Sequence, residues 1–395
     1  MIPRRAIATL FAAALLATGC SSSGSDGVRV RRTTTTRAPE QDLGGLAKYR
    51  DPGRHPVGTR TIALADGRRV VIWYPAAKSA QGQPKEIFDI ASLLSPALQD
   101  QIPADLRPKY QIDAHPGAAA ATDGPFPVVL FSHGYAGFPE QSADLTTHLA
   151  SWGFVVVAPD HVERSLSGLL GTAGKGVPKL TDPVVLSQSL DAAIADAKIA
   201  NSPLRGLLDT EKVAVVGHSA GASAAYEEAS ADPRIKAFIA YSIGLDGGPD
   251  GAKTKPPPIP KVPGMVLFGT ADGIIEPSAS RKVYAAMAAP KYQVAIANAG
   301  HLVFSDICLI GKDKGGLVAL VKQAGLDLPA NLLRLADDGC GPDALDPAKA
   351  FPAIDHLSVA FLRHELGLDP KPIGLDPSVT KSFTDAKVTL TADPG

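Results

Sequence analysis

The chain has 395 residues, of which 45% are hydrophobic and 20% charged, a composition that suits a globular protein with a substantial core. Its 39 basic and 40 acidic side chains leave a formal charge of −1, so nothing in the balance calls for a nucleic-acid partner. Three cysteines are few for this length, and their positions carry more than their number.

Arg4 and Arg5 precede an apolar stretch from Ala6 to Ala17. That stretch is shorter than the roughly 20 residues that span a bilayer, and it fits the core of a signal peptide. It ends in Leu16-Ala17-Thr18-Gly19-Cys20. Small residues directly before a cysteine at this distance from the start resemble a bacterial lipoprotein box, although Ala17 stands where an aliphatic residue is usual. The resemblance implies a signal peptide over 1–19, a lipid on Cys20 and anchorage to the outer face of the bacterial plasma membrane. An ordinary cleaved signal peptide with a stray cysteine is the alternative. From Ser21 to Pro39 the chain is rich in Ser, Gly, Thr and Arg with almost no apolar residues, so 20–39 reads as a flexible tether. Its Arg29, Arg31, Arg32 and Arg37 are either solvated or in touch with anionic lipid or wall polymer.

With Cys20 set aside, Cys308 and Cys340 remain, and an even remainder in an exported protein suggests a disulfide. Two free buried thiols, or Cys308 as a nucleophile, are the other readings.

Further along, Thr61–Leu64 and Arg69–Tyr74 flank Asp66-Gly67 and predict a hairpin. From Pro75 to Pro125 the pattern is irregular, with a short helix near Ile90 to Gln99. Val128–Phe131 predicts a buried strand ending at Ser132-His133-Gly134, followed by a helix from about Gln141 to Trp152 and a strand over Phe154–Ala158. Asp182 to Asn201 reads as an amphipathic helix capped by Thr181 or Asp182. Lys212–Gly217 is the next strand, running into His218-Ser219-Ala220-Gly221 and a helix. Strands at Ala237–Tyr241, Met265–Phe268 and Gln293–Ala297 precede a closing helix over Asp355–Leu366, and 369–395 reads as a loose tail with one weak strand near Val388. Continuous apolar strands alternating with helices predict an α/β fold with a mostly parallel sheet covered on both faces, over 40–368.

The sharpest signal is Gly217-His218-Ser219-Ala220-Gly221 between a predicted strand and a predicted helix. A serine on a sharp strand-to-helix turn leaves little room for side chains on either side, hence glycine two places before and two after. A serine hydroxyl needs a histidine to take its proton, and that histidine needs a carboxylate. In the chain order serine, acid, histidine, His301 is the candidate base because it follows a strand directly, whereas His356 and His364 lie on the closing helix. Two aspartates compete as the acid. Asp272 follows the clean apolar strand Met265–Phe268, whereas Asp246 is embedded in a turn-forming run where turn chemistry alone explains it; Glu276 is a distant third. Asp272 is favoured. His133 and His218 read as structural hydrogen bonders. His115, His148 and His161 fit no metal-ligand spacing, so neither a metal nor a cofactor is expected.

Leu130-Phe131-Ser132-His133-Gly134-Tyr135, Leu149-Ala150-Ser151-Trp152-Gly153-Phe154-Val155-Val156, Asp160-His161 and Arg164-Ser165 together resemble the platelet-activating-factor acetylhydrolase group. That group shades into dienelactone-hydrolase-like and polyester-hydrolase-like bacterial esterases. The resemblance covers roughly Val128 to Leu366. It implies the α/β-hydrolase fold, carboxylic ester hydrolysis through an acyl-enzyme, and an oxyanion hole built from the backbone N–H groups of Tyr135 and Ala220. The segment 305–352 departs from that group, carries both later cysteines and is expected to overhang the active site. A carboxylesterase or lipase acting outside the plasma membrane on a small-molecule or lipid ester is the leading reading. A peptidase or other acyl transferase, or a binding lipoprotein without catalysis, are the alternatives.

Overall fold

Strands that are apolar at every position must be covered on both sides, and alternate side chains decide which cover they meet. The computed structural model describes residues 46–245 and 256–395. Cys20, the signal peptide and tether, and the alternative acid Asp246 lie outside the described residues. The strands are β1 (Val57–Ala63), β2 (Arg69–Pro75), β3 (Glu86–Asp89), β4 (Lys109–Ile112), β5 (His115–Pro116) and β6 (Phe126–Ser132). They continue with β7 (Val155–Pro159), β8 (Leu208–His218), β9 (Ile235–Tyr241), β10 (Gly264–Gly269), β11 (Lys291–Ile296) and β12 (Val388–Asp393). The helices are α1 (Pro96–Gln99), α2 (Ala143–Ser151), α3 (Leu166–Leu169), α4 (Asp182–Asp196), α5 (Ala220–Ala231), α6 (Pro277–Ala286), α7 (Leu317–Gln323), α8 (Ala330–Leu335) and α9 (Pro347–Glu365).

Among the described residues ten strands form one sheet in the order β12-β11-β10-β9-β8-β6-β7-β2-β1-β5. The six strands from β7 to β11 pair in parallel, while β2 joins β7, and β12 joins β11, antiparallel. Within β6, Val129 and Phe131 enter one core with Leu149 of α2 and Leu357 and Phe361 of α9. Val128 and Leu130 enter the other, with Leu186 and Leu190 of α4, Ala225 of α5 and Val283 of α6. This is the α/β-hydrolase architecture. The chain runs from β6 out to β7 and then back across β6 to β8, so the order of strands reverses at β6, where the carboxyl ends leave a crevice.

Two expectations need correction. The stretch 369–395 is no loose tail: β12 completes the sheet edge in register with all of β11, and Val379, Phe383, Val388 and Leu390 are buried. Its alternating apolar residues need only one covered face, which is why the sequence signal is weak. The closing helix begins at Pro347, well before Asp355. Pro347 takes its first turn, where its missing N–H is harmless, and the Asp346 side chain caps the N–H of Ala348. The irregular region also holds the small β3–β4 hairpin, and the helix near Ile90 is a 3₁₀ turn followed by the single-turn α1.

Glu228 on α5 is almost fully enclosed, with one carboxylate oxygen lacking a partner among the described residues. Burial, reinforced by the neighbouring Asp232, raises its pKa to about 8. A carboxyl raised in the folded state contributes stability below its unfolded pKa that is lost as pH rises through about 8. Glu228→Gln is therefore expected to gain melting temperature relative to the parent between pH 6 and pH 9; a difference that stays flat across that range contradicts the assignment.

Candidate active site

Ser219 sits where β8 turns into α5, with φ 59° and ψ −121°. A non-glycine residue in this region is strained by about 1–3 kcal/mol and persists only where the surroundings over-determine it. Here they do. A Cβ on Gly217 would stand 2.0 Å from the carbonyl oxygen of Gly221, and one on Gly221 would stand 2.0 Å from the carbonyl oxygen of Ser132. The two glycines thus let β8, the first turn of α5 and the end of β6 touch backbone to backbone. The Ser219 N–H donates to the carbonyl of Tyr241 at 2.9 Å, fixing the turn to β9.

His301 and Asp272 come from the ends of β11 and β10. His301 Nδ1 donates to Asp272 at 2.9 and 3.1 Å, and the His301 side chain is fully buried. Asp272 also accepts the N–H groups of Ile274 and Ile275 at 2.9 and 2.8 Å. Burial alone would raise its pKa, but the hydrogen bond and charge of His301 and the two amides outweigh burial and hold the carboxyl below its ordinary value. With Nδ1 as the donor, His301 Nε2 is left bare, buried and without a partner among the described residues. Ser219 and His301 line the same cavity.

The loop after β6 closes the other side. A Cβ on Gly134 would lie 3.3 Å from Cβ of Ser219, so this loop runs directly beside the serine. The N–H groups of Tyr135 and Ala220 have no acceptor among the described residues. Arg164 braces the loop: its guanidinium donates to the carbonyls of His133 and Gly134 and to Ser132 Oγ, and its own carbonyl accepts the Ala136 N–H at 2.7 Å. Asp182 holds Arg164 Nε at 2.9 Å and stands 2.9 Å from His161 Nδ1. His161 N–H donates to His133 Nε2, and burial followed by the charge of Arg164 pushes both imidazoles down, so they stay neutral. Of Asp160-His161 and Arg164-Ser165, singled out in the sequence, His161 and Arg164 belong to this brace, whereas Ser165 caps α3 and Asp160 accepts from Ser167 Oγ.

Beneath the site runs a chain of polar groups. Gln141 Oε1 accepts the Gly134 N–H, Gln141 Nε2 donates to His218 Nδ1 at 3.1 Å, and His218 Nε2 donates to the carbonyl of His301 at 3.0 Å. Burial and then the adjacent His301 lower the His218 pKa to about 3, so it serves as a neutral bridge.

Cys308 and Cys340 are joined. Two residues before Cys340, Asp338 accepts the His301 N–H at 2.6 Å and the Gly273 N–H at 3.2 and 3.3 Å, and its carbonyl accepts the Leu302 N–H at 3.0 Å. Gly339 and Gly300 touch backbone to backbone, where a Cβ on Gly300 would lie 2.4 Å from Cα of Gly339. One carboxylate therefore ties together the loops that carry Asp272 and His301. Gln141 and Asp338 were not legible in the sequence, because each acts on residues distant in the chain and neither sits in a local motif. Among the described residues no cluster of His, Cys, Asp and Glu is arranged to hold a metal ion.

With this geometry in view, the relatives are informative. The family model described as chlorophyllase matches residues 115–264. A relative in Methylorubrum extorquens, provisionally named a carboxymethylenebutenolidase, is 30% identical over 201 residues, which cover 48% of this chain and 67% of the relative. The chain belongs to the α/β-hydrolase esterases. A solved structure, the ferulic acid esterase from Streptomyces cinnamoneus, superposes on 86% of this chain and 98% of its own with a TM-score of 0.55 at 21% identity, a likeness of fold. The esterase is thus a carboxylic ester hydrolase whose central strands and Ser219 turn lie inside the family-matched region, whereas Asp272, His301 and the disulfide lie beyond it.

Asp338→Ala releases the amides of His301 and Gly273 from a charged acceptor, a bond worth about 1.5–3 kcal/mol. If about half of that is expressed in alignment, kcat on a simple ester falls roughly four- to tenfold with KM little changed. An unchanged kcat in a folded variant shows that Asp338 positions nothing.

Proposed function

We propose that the esterase works through an acyl-enzyme on Ser219, with His301 as general base and then general acid and Asp272 as the carboxylate that orients it. The observation that carries this reading is the His301 ring: Nδ1 is committed to a buried, ionised Asp272, Nε2 has no partner among the described residues, and the residue lines the same cavity as Ser219. In the first half-reaction Ser219 Oγ bonds to the ester carbonyl carbon while its proton passes to His301 Nε2. The negative oxygen that develops meets the N–H groups of Tyr135 and Ala220. Collapse breaks the carbon–alkoxy bond, and the alcohol leaves with the proton from His301. Water then repeats the sequence on the acyl-enzyme, releasing the acid and free Ser219.

Ser219→Ala is expected to abolish labelling by a fluorophosphonate and to leave only about 10³–10⁴-fold catalysis over water. Asp272→Asn, which keeps the shape but favours the wrong histidine tautomer, is expected to lower kcat by about 10⁴, the loss seen in the serine-protease precedent. Near-normal turnover in either variant would overturn the assignment.

We also place the enzyme outside the plasma membrane, held by a lipid on Cys20. The support is the apolar run Ala6–Ala17, the small residues before Cys20 and the polar stretch after it. Among the described residues no helix is long and apolar enough to cross a membrane. On this reading Cys20→Ser moves the enzyme from the membrane fraction to the medium or leaves its signal peptide uncleaved; a processed variant that still sediments with membranes refutes the lipid anchor.

A further inference from the structure

We propose that the acyl group of the natural ester is a long, uncharged hydrocarbon chain, and that it lies between the 90–108 segment and the disulfide-clasped insertion, which lifts to admit it. This rests on the ester-hydrolase reading of Ser219.

The cavity that opens on Ser219 has Leu94, Leu98 and Ile102 on one wall and Val318, Val321 and Leu332 of α7 and α8 on another. Its strongly polar members are Gln141, His218, Ser219 and His301, of which Gln141, His218 and His301 are linked by the hydrogen bonds already described and Ser219 follows His218 in the chain. Among the described residues that line it there is no Asp, Glu, Lys or Arg. A carboxylate or ammonium on the acyl side would lose its water and find no counter-charge, whereas a hydrocarbon loses nothing by entering. A polar head at the serine and an apolar remainder is the partition this cavity imposes on its occupant.

The insertion is built to cover such a chain. Lys322, Gln323, Asp327 and Arg334 are exposed, while Val321, Leu326, Leu332 and Leu335 point into the cavity and stay only half-buried. Half-buried aliphatic side chains around a void gain their remaining burial when a hydrocarbon fills it. The cavity, which is partly open to solvent, measures about 130 Å³, smaller than the engineered cavity of about 150 Å³ that takes one benzene ring. A long chain is therefore enclosed along its whole length only if a wall moves.

The hydrogen bonds show which wall. Residues 317–336 bond only within the insertion, among the described residues, through their own turns and the Gln323 amide on the Lys314 carbonyl. No hydrogen bond joins them to the 90–108 segment among the described residues, and across the cavity the two segments present aliphatic side chains to each other. The ends are fixed differently. At one end Lys314 Nζ bonds the carbonyl of Asp105, and Cys308 is locked to Cys340. At the other, Asp338 is tied to Gly273 and His301. The span between can lift from the opposite wall without breaking a hydrogen bond to it, while Asp338 keeps the loops of Asp272 and His301 in place.

The test is a series of p-nitrophenyl esters from acetate to palmitate, hydrolysed by the full chain and by Leu332→Asp and Val321→Asp. For the parent, kcat/KM is expected to rise by roughly fourfold per added methylene over the first several members, the equivalent of about 0.8 kcal/mol per buried CH₂. Each variant, with its fold checked by circular dichroism, is expected to lower the laurate-to-acetate ratio of kcat/KM at least tenfold. A parent that prefers acetate and loses rate as the chain lengthens, or variants whose ratio matches the parent's, overturns the acyl-chain inference and leaves the ester-hydrolase reading standing. Absence of turnover on every member, acetate included, overturns that reading and this inference with it.

Discussion

A hydroxyl can stand at the tip of a strand-to-helix turn only if the backbone around it packs against bare peptide. That constraint organises the whole site. Gly217 and Gly221 each face a carbonyl oxygen at a distance no side chain tolerates, and Ser219 is held in the left-handed region between them. Because Gly221 meets the end of β6, the serine and the His133-Gly134-Tyr135 loop are set side by side by the sheet itself. The crevice lies where strand order reverses, so Ser219, Asp272 and His301 come together from the carboxyl ends of β8, β10 and β11 without any long reach.

Precision beyond that comes from buried polar groups that are almost all neutral or paired. Four histidines surround or underlie the site, and three of them, His133, His161 and His218, are kept uncharged by burial. They act as hydrogen-bond bridges between loops, with Arg164 and Asp182 as the paired charges that fix the β6 loop. The fourth, His301, differs in having a buried carboxylate on one nitrogen and a second nitrogen without a partner among the described residues. Low local dielectric makes each of these bonds strong and each missing partner expensive, which keeps the loops in one arrangement.

The insertion between His301 and α9 adds a second level of control. Its disulfide joins Cys308 to Cys340 within the insertion and Asp338 ties it to the loops of Asp272 and His301, while residues 317–336 make no hydrogen bond outside the insertion among the described residues. One segment therefore both braces the loops of Asp272 and His301 and lines part of the cavity.

The sequence determined the layered α/β architecture, because runs such as Val128–Phe131 and Val213–Val216 have a two-sided apolar pattern that only a covered parallel sheet satisfies. It also determined the Ser219 turn, since close backbone approach is written locally as two glycines. The pairing of Cys308 with Cys340 was expected from their number. Other features were decided by tertiary structure. The edge strand β12 carries a one-sided pattern too weak to read alone, and it exists because β11 offers an open row of backbone groups. Gln141 and Asp338 look like ordinary polar residues in the chain, and they gain their roles only when folding brings them against Gly134, His218, Gly273 and His301. The partner of His301 is of the same kind: the residues favoured Asp272 over Asp246 by the setting of its strand, but the contact itself depends on β10 and β11 lying side by side in register. A hydrogen bond between residues far apart in sequence leaves no periodicity, so only the folded backbone can specify it.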